Sequence, residues 1–423
     1  METAQTPTAP DVVVVGAGGA GIAAAHRLQA LGFSVLVLEA CDRIGGRAFT
    51  ESETFGLPFD HGCAWLQGPG GLPYIGAARS AGFTLIDHSD PPGALFSGDK
   101  PATPFEVAEY EQAGESLRQL LVSSQNDVAA SSLVKSNDRW LAAAATWLSM
   151  DHSVDLTELS SADVAVYGAY AVNALVKEGL GSLVAQFAKS LPVQTGTVVT
   201  GVDWSGTGVT VRTQKGEIRA LAVILTVSTG VMSARRIKFT PDLPADVWQA
   251  FDDLPMGLLT KIALQTDSAR FGLPENAFVT RAVDELLPAR AAFFLSFPAG
   301  YDLCVGFVGG SRAWEIEKAG EDAAIAFATE QLASMLGSDI RRHIRKGRMT
   351  NWGSNPWTRG AYAAARPGRH KARAVLSNPL GDRVFFAGEA LGGAYPALLS
   401  GAHISGDAAA RQAAAILASK TKG

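Results

Sequence analysis

The chain has 423 residues, 47% of them hydrophobic and 18% charged, with a net charge of −5. That balance excludes a disordered chain and leaves no basic excess to neutralise a nucleic-acid backbone. The length suggests two or three domains. The three cysteines, Cys41, Cys63 and Cys304, fit neither a zinc pattern nor a disulfide framework, which points to a reducing compartment. No run has the roughly 20 apolar residues of a membrane span. The N-terminal METAQTPTAP lacks the basic start and apolar core of a signal peptide, so a cytoplasmic protein is expected. The seven histidines show no metal spacing, and no metal is expected. Glycine is frequent, 45 residues, as folds with close backbone approaches require.

In chain order, Val12 to Val15 form a β-branched run that reads as a buried parallel strand. Glycines follow, then an alanine-rich helix from Gly21 to Leu31 that stops at Gly32. A second apolar run, residues 34–38, closes a β-α-β unit and ends at Glu39. Residues 105–190 look mostly helical: Leu117, Leu120 and Leu121 share a face, as do Leu180, Leu183, Val184 and Phe187. From Val193 to Ser228 the period is two, with turns at Ser205-Gly206 and Lys215-Gly216, which predicts an antiparallel meander. Its last run, Ala222 to Val227, is apolar enough to return to the parallel sheet. Further strands are predicted at residues 258–265, 291–297, 303–308 and 344–351. A helix through Ile325, Leu332, Met335 and Leu336 interrupts them. The chain closes with a strand at 384–386, a glycine-rich loop and a helix to Leu417. Parallel-sheet signals at both ends and in the middle predict a discontinuous domain, with a part-helical, part-antiparallel domain inserted twice.

The strongest motif is Gly16-Ala17-Gly18-Gly19-Ala20-Gly21, between strand and helix. Gly16 permits the tight turn, Gly18 lets backbone approach a pyrophosphate, and Gly21 lets helix and strand pack closely. The helix N-terminus presents N–H groups and a positive dipole end to phosphates. Glu39 can accept hydrogen bonds from ribose hydroxyls and would repel a 2′-phosphate. NAD and FAD both fit this unit; NADP does not. The residues after Glu39 separate the two: Arg43, Gly45, Gly46 and Arg47 follow in the order E-x-x-x-R-x-G-G-R. Their guanidiniums can neutralise a pyrophosphate by forked hydrogen bonds.

This pattern resembles the extended fingerprint of flavoproteins with two dinucleotide-binding domains, and within them the flavin-dependent amine oxidases. The resemblance continues in the family's order along nearly the whole chain. Phe59 to Trp65 match D-x-G-x-x-W, and Glu178 to Leu183 match a G-x-x-x-L helix start. Thr197 to Val202 match the strand whose valine, here Val199, brackets the adenine. Met256 to Lys261 match the segment bearing an active-site lysine, and Trp352 to Tyr362 match W-x-x-G-x-Y. Phe386 to Glu389, Tyr395-Pro396 and Ser400 to Ala402 match the C-terminal flavin motif.

The resemblance implies an α/β fold. A discontinuous Rossmann-type FAD-binding domain (residues 1–72, 181–240 and 350–423) would be joined to an α+β substrate domain with an antiparallel sheet (73–180 and 241–349). It implies an FAD site built from Gly16, Gly18, Gly19, Gly21, Glu39, Arg43, Gly45, Gly46, Arg47, Trp65, Val199, Trp352, Gly388, Glu389 and Leu398. Lys261 would hold a water against flavin N5, although mid-strand lysines otherwise face solvent. Glu389 would meet the ribityl chain. Tyr362 would stand against the flavin face as one wall of an aromatic cage, with Leu398 where monoamine oxidases carry a second tyrosine. Trp357 would line the substrate cavity, or pack as an ordinary core aromatic, and the same alternative holds for Trp352. His61 and His403 read as structural. Ala361 replaces the cysteine of covalently flavinylated relatives, so FAD is expected to be non-covalent.

The implied activity is oxidation of a small-molecule amine to an imine, which hydrolyses to a carbonyl compound and ammonia or a smaller amine. Dioxygen, reduced to hydrogen peroxide, or another acceptor takes the electrons. An asymmetric cage favours bulky or extended amines. The rivals are an amino-acid oxidase, a protoporphyrinogen oxidase or desaturase on the same fold, and a non-catalytic flavin-binding redox module. An amino-acid oxidase needs an arginine for the substrate carboxylate, and Arg281, Arg290 and Arg312 are the candidates. The sequence leaves the particular amine and the oligomeric state open.

Overall fold

Val12–Val15 is buried along its whole length and lies at the centre of a five-stranded parallel sheet. The structure, a computed structural model, describes residues 9–134, 138–283 and 291–420. The sheet order is Val193–Gln194, Val35–Leu38, Val12–Val15, Ala222–Leu225 and Val384–Phe386. Val12 pairs with Val35 on one side and Ala222 on the other. Both faces are covered, as β-branched runs without polar alternation require. Val12 and Val14 pack with Ala24, Leu28 and Ala410 from the helices Gly19–Ala30 and Leu399–Lys420. Val13 and Val15 pack on the opposite face with Val202, Val211 and Phe239.

That second face is the expected meander: Val199–Asp203, Val209–Thr213 and Gly216–Ala220 run antiparallel, and Lys238–Thr240 adds a parallel strand. The parallel sheet therefore collects strands from three separated stretches, and Ala222–Leu225 does return to it.

The other large element is a seven-stranded mixed sheet, ordered Ile344–Met349, Leu259–Thr266, Leu303–Gly309, Phe293–Ser296, Ala277–Arg281, Gly93–Ser97 and Lys100–Pro101. Helix Glu321–Leu336 buries Ala324, Ala328 and Leu332 against it. The stretch expected to be mostly helical holds Pro104–Val122 and Arg139–His152, but also the strand Val172–Val176. That strand pairs antiparallel with Trp65–Gly68 and Leu85–Asp87. Its residues have no strong helical or alternating pattern, and non-local pairing decides its state. Among the described residues no helix is long and apolar enough to cross a membrane.

Candidate active site

The carboxyl ends of the parallel strands carry the glycine loops. A Cβ on Gly21 would stand 1.9 Å from the Gly16 carbonyl oxygen, so helix and loop touch backbone to backbone. The second glycine loop lies against the first: Gly45 N donates to Ala17 O at 2.8 Å, and Gly18 and Gly45 bridge. Gly46, at φ +59°, brings its backbone up to Gly18, where a Cβ would be 3.2 Å from Gly18 Cα. Gly18 is the N-cap of the helix and offers no side-chain acceptor, which leaves the helix N–H groups to an anion.

Glu39 is 7% exposed. Its carboxylate accepts from Ala17 N at 2.7 Å and Cys41 N at 2.8 Å, fixing the glycine loop. A carboxylate has about four acceptor positions, so two remain for hydroxyl donors. The main chain of Glu39 and Cys41 also accepts from Thr197 N and Gly196 N, which lays the segment leading to Val199 beside it.

The two arginines take different tasks. Arg43 donates to Gly46 O at 2.8 Å and lies 3.9 Å over the Phe49 ring, bracing the second glycine loop. Arg47 donates to Ala361 O at 2.6 Å and pairs with Glu389 at 3.0 Å. Glu389 also accepts from Ala363 N at 3.1 Å, so three distant segments meet at this ion pair. Gly388 N donates to Ser405 Oγ of the terminal helix at 2.8 Å. A cavity of about 360 Å³ opens here, lined by Arg47, Val227, Ser228, Phe386, Gly388 and Glu389. Uncapped helix N–H groups, glycine backbones without side chains, a buried carboxylate with acceptor positions left over and an arginine at one sheet end fit FAD.

Lys261 is 5% exposed. Its strand is covered on both faces, so the solvent-facing alternative fails. Nζ donates to Asp60 O at 2.9 Å and Gly62 O at 2.5 Å. Burial pushes the amine down to about 8, with Asp60 and Cys63 opposing. Burial likewise raises the Asp60 carboxyl, against the pull of Lys261. That carboxyl accepts from the Thr50 hydroxyl, Leu180 N and Gly181 N, tying the segment to the helix Leu180–Phe187. Trp352 is buried and donates to His61 O at 3.0 Å, closing the other side of the segment. Trp65 stacks on Phe278 and donates to His88 Nδ1 at 3.1 Å. Lys261, Asp60, Trp65, Phe307, Tyr301 and Leu175 line a largely apolar cavity of about 510 Å³.

Tyr362 pairs with Gly257 and donates its hydroxyl to Met150 O at 2.8 Å. Burial raises its phenol well above the ordinary value, with Asp151 and Glu389 adding to the effect. Leu398 is half-buried just ahead of the terminal helix. Trp357 is 40% exposed and lines neither cavity. His61, between Phe49 and Phe59, and His403, beside Tyr74, are both pushed down to about 4 by burial and are neutral. Arg281 donates to Ser334 and Arg312 pairs with Glu315; Arg290 lies outside the described residues.

Two groups were not singled out from sequence. Asp60 lies in a recognised motif, but its role as the anchor of the lysine segment needs the fold. Asp163, 1% exposed, binds Arg373 at 2.7 Å and His370 at 3.2 Å and joins helix Ser161–Ala165 to Ala372–Leu376.

Comparison with known proteins gives the chain a family. The family model for flavin containing amine oxidoreductase matches residues 161–414, and that for an NAD(P)-binding Rossmann-like domain matches 14–77. Polyamine oxidase 2 of Arabidopsis thaliana is 29% identical over 94% of this chain and 86% of its own length. Lysine-specific histone demethylase 1 homolog 1 of Oryza sativa subsp. japonica is also 29% identical, but this chain spans only 51% of it. Wild-type putrescine oxidase bound to putrescine has the same fold, with a TM-score of 0.77 at 22% identity over 97% of this chain and 99% of that one. With the family model covering well over half of its residues, the chain belongs to the flavin containing amine oxidoreductases, FAD-dependent enzymes acting on CH–NH or CH–NH2 groups.

Proposed function

We propose that this chain is an oxidase of small, extended aliphatic amines, with FAD held non-covalently and dioxygen as electron acceptor. The observation that carries the reading is Lys261, a buried amine that lines a largely apolar cavity and is bonded to the Asp60–Gly62 segment, whose Gly62 lies backbone to backbone against Arg47. Two of its N–H groups are taken by Asp60 O and Gly62 O. A neutral amine has two N–H groups and a lone pair; an ammonium has a third N–H. The remaining direction, lone pair or N–H, is therefore the one available to a water.

FAD, when bound, supplies the two-electron acceptor. The chain's own groups bind, orient and exclude water. Gly18, Gly46 and the helix N-terminus would take the pyrophosphate, Glu39 the ribose, and Arg47 with Glu389 the far end of the cofactor. Tyr362, fixed by Met150 O, would orient the reacting nitrogen in its neutral form. The amine loses two hydrogens to become an imine. Water hydrolyses the imine to a carbonyl compound and ammonia or a smaller amine, and dioxygen leaves as hydrogen peroxide. The polyamine and putrescine oxidases among the relatives support an aliphatic amine. Arg281 and Arg312 are engaged elsewhere, which disfavours an amino-acid oxidase. Three free cysteines agree with a cytoplasmic setting.

The test is an anaerobic panel of monoamines, diamines, polyamines and amino acids read at the flavin absorbance band. Bleaching by amines, with peroxide formed on admitting air, is expected. Acid precipitation should leave the flavin in the supernatant. Bleaching only by amino acids, or by nothing in the panel, overturns the reading.

A further inference from the structure

We propose that His88 is the positioning residue that sets Trp65 as a wall of the Lys261 cavity, and so governs how tightly the enzyme holds the apolar part of its amine. This rests on the amine-oxidase reading and adds a residue to that site.

Trp65 opens the strand Trp65–Gly68 and lines the cavity together with Lys261. Its ring stacks on Phe278 at 5.9 Å and lies 5.9 Å from the Phe307 ring. Phe307 pairs with Lys261 in the ladder, and its ring is 5.7 Å from Nζ. Trp65 thus completes an aromatic wall that ends at the lysine. The indole has one polar atom, Nε1, and it donates to His88 Nδ1 at 3.1 Å.

His88 is 2% exposed and follows the strand Leu85–Asp87. Its backbone N donates to Asn173 O at 2.8 Å, and its O accepts from Asn173 Nδ2 at 2.9 Å. The partners of the ring determine its tautomer. An indole N–H can only donate, so Nδ1 is the bare nitrogen. A peptide carbonyl can only accept, so Nε2, 2.8 Å from Asn276 O, carries the proton. The ring is therefore neutral, with both nitrogens engaged. Burial lowers its pKa, against the pull of the Asn276 bond and of Asp87. Among the described residues the exposed Asp87 is the one charge acting on the ring. Trp65, Phe278, Asn173 and Asn276 surround it and are uncharged.

The same histidine reaches another part of the cavity lining. Asn276, at φ +56°, accepts from His88 through its backbone O and from Ala299 N through Oδ1 at 2.7 Å. Ala299 lines the cavity at φ +55°, a conformation alanine rarely adopts. Without His88 Nδ1 the indole N–H has no acceptor inside an aromatic wall, which is costly. The ring regains one only by turning out of the wall. Protonating His88 has the same effect, because Nδ1–H would then face Nε1–H.

The test uses holoenzyme and n-octanol, an uncharged probe whose binding to oxidised enzyme is read at the flavin absorbance band. His88→Asn keeps an oxygen near Nδ1; His88→Gln keeps a donor near Nε2 and removes the acceptor. A neutral hydrogen bond predicts octanol binding about three- to tenfold weaker in His88→Gln, with His88→Asn restoring most of it. The loss should vanish in a Trp65→Phe background, which has no N–H to hold. In anaerobic stopped-flow, the amine concentration for half-maximal flavin reduction should rise by a larger factor than the limiting rate falls. Histidine NMR on Trp65→Phe is a second measurement that needs no change at His88. Freed of the indole N–H, His88 should titrate at a higher pH than in wild type. Equal losses in His88→Asn and His88→Gln, a loss that persists without the indole, no octanol binding to wild type, or an unshifted His88 titration overturns the proposal. Failure of every amine to bleach the wild-type flavin overturns the amine-oxidase reading instead. The octanol and NMR comparisons then still decide the role of His88.

Discussion

Replacing Lys261 by Met removes a buried amine and tests both its electrostatics and its function. In the folded chain the amine sits at about 8 against an ordinary 10.5. Each unit is worth about 1.4 kcal/mol, so burying the ammonium costs on the order of 3 kcal/mol at pH 7. Because the folded value is depressed, the unfolded chain binds more protons between pH 8 and 10.5, and stability rises across that window. Methionine abolishes that rise. It also leaves Asp60 O and Gly62 O without their donor, at roughly 1–3 kcal/mol each. The two effects oppose each other at pH 7, so the variant should fold and bind FAD. Urea unfolding should show the wild type gaining on the variant by about 3 kcal/mol between pH 7 and pH 10.5. Stopped-flow should show one half-reaction, flavin reduction or reoxidation, slowed by roughly 100-fold, the lower end for a proton-handling group. Unchanged rates in both half-reactions, with a pH-independent stability difference, would refute the argument and leave Lys261 a structural residue.

Gly21→Ala would set a Cβ 1.9 Å from the Gly16 carbonyl, a backbone atom that cannot yield, so soluble yellow protein should be lost. Gly32→Ala, at φ +85° but in open space, should cost only about 1 kcal/mol and stay yellow; flavin content of the soluble fraction separates the two. Asp163→Asn breaks a buried ion pair with Arg373 and should cost about 3–5 kcal/mol at pH 7. Burial pushes the Asp163 carboxyl up, but His370 and Arg373 outweigh it and hold the carboxyl far below its ordinary range. The wild type should therefore lose this advantage as pH falls below that range, and acid unfolding curves of the two forms should converge.

The parallel sheet was legible because its strands announce themselves locally. Val12–Val15 and Val384–Phe386 are short apolar runs next to glycine loops, and a strand buried on both faces has no other pattern to show. Val172–Val176 was illegible for the complementary reason. Its partner Trp65–Gly68 lies about a hundred residues upstream, and nothing local specifies the pairing. Gly93–Ser97 is the same case, joining Ala277–Arg281 from the far side of the chain. The family motifs located Glu39, Glu389 and Lys261, but not the tasks of the arginines. Which carbonyl or carboxylate a guanidinium meets depends on segments, such as 361–363 for Arg47, that only the fold brings near.

Lys261 shows where local reading fails and what repairs it. Alternation assigns every second strand residue to solvent, which made an exposed lysine the natural reading. On Leu259–Thr266, however, Ile262 and Leu264 enter one core cluster and Ala263 another, so both faces are interior and the lysine is forced inside.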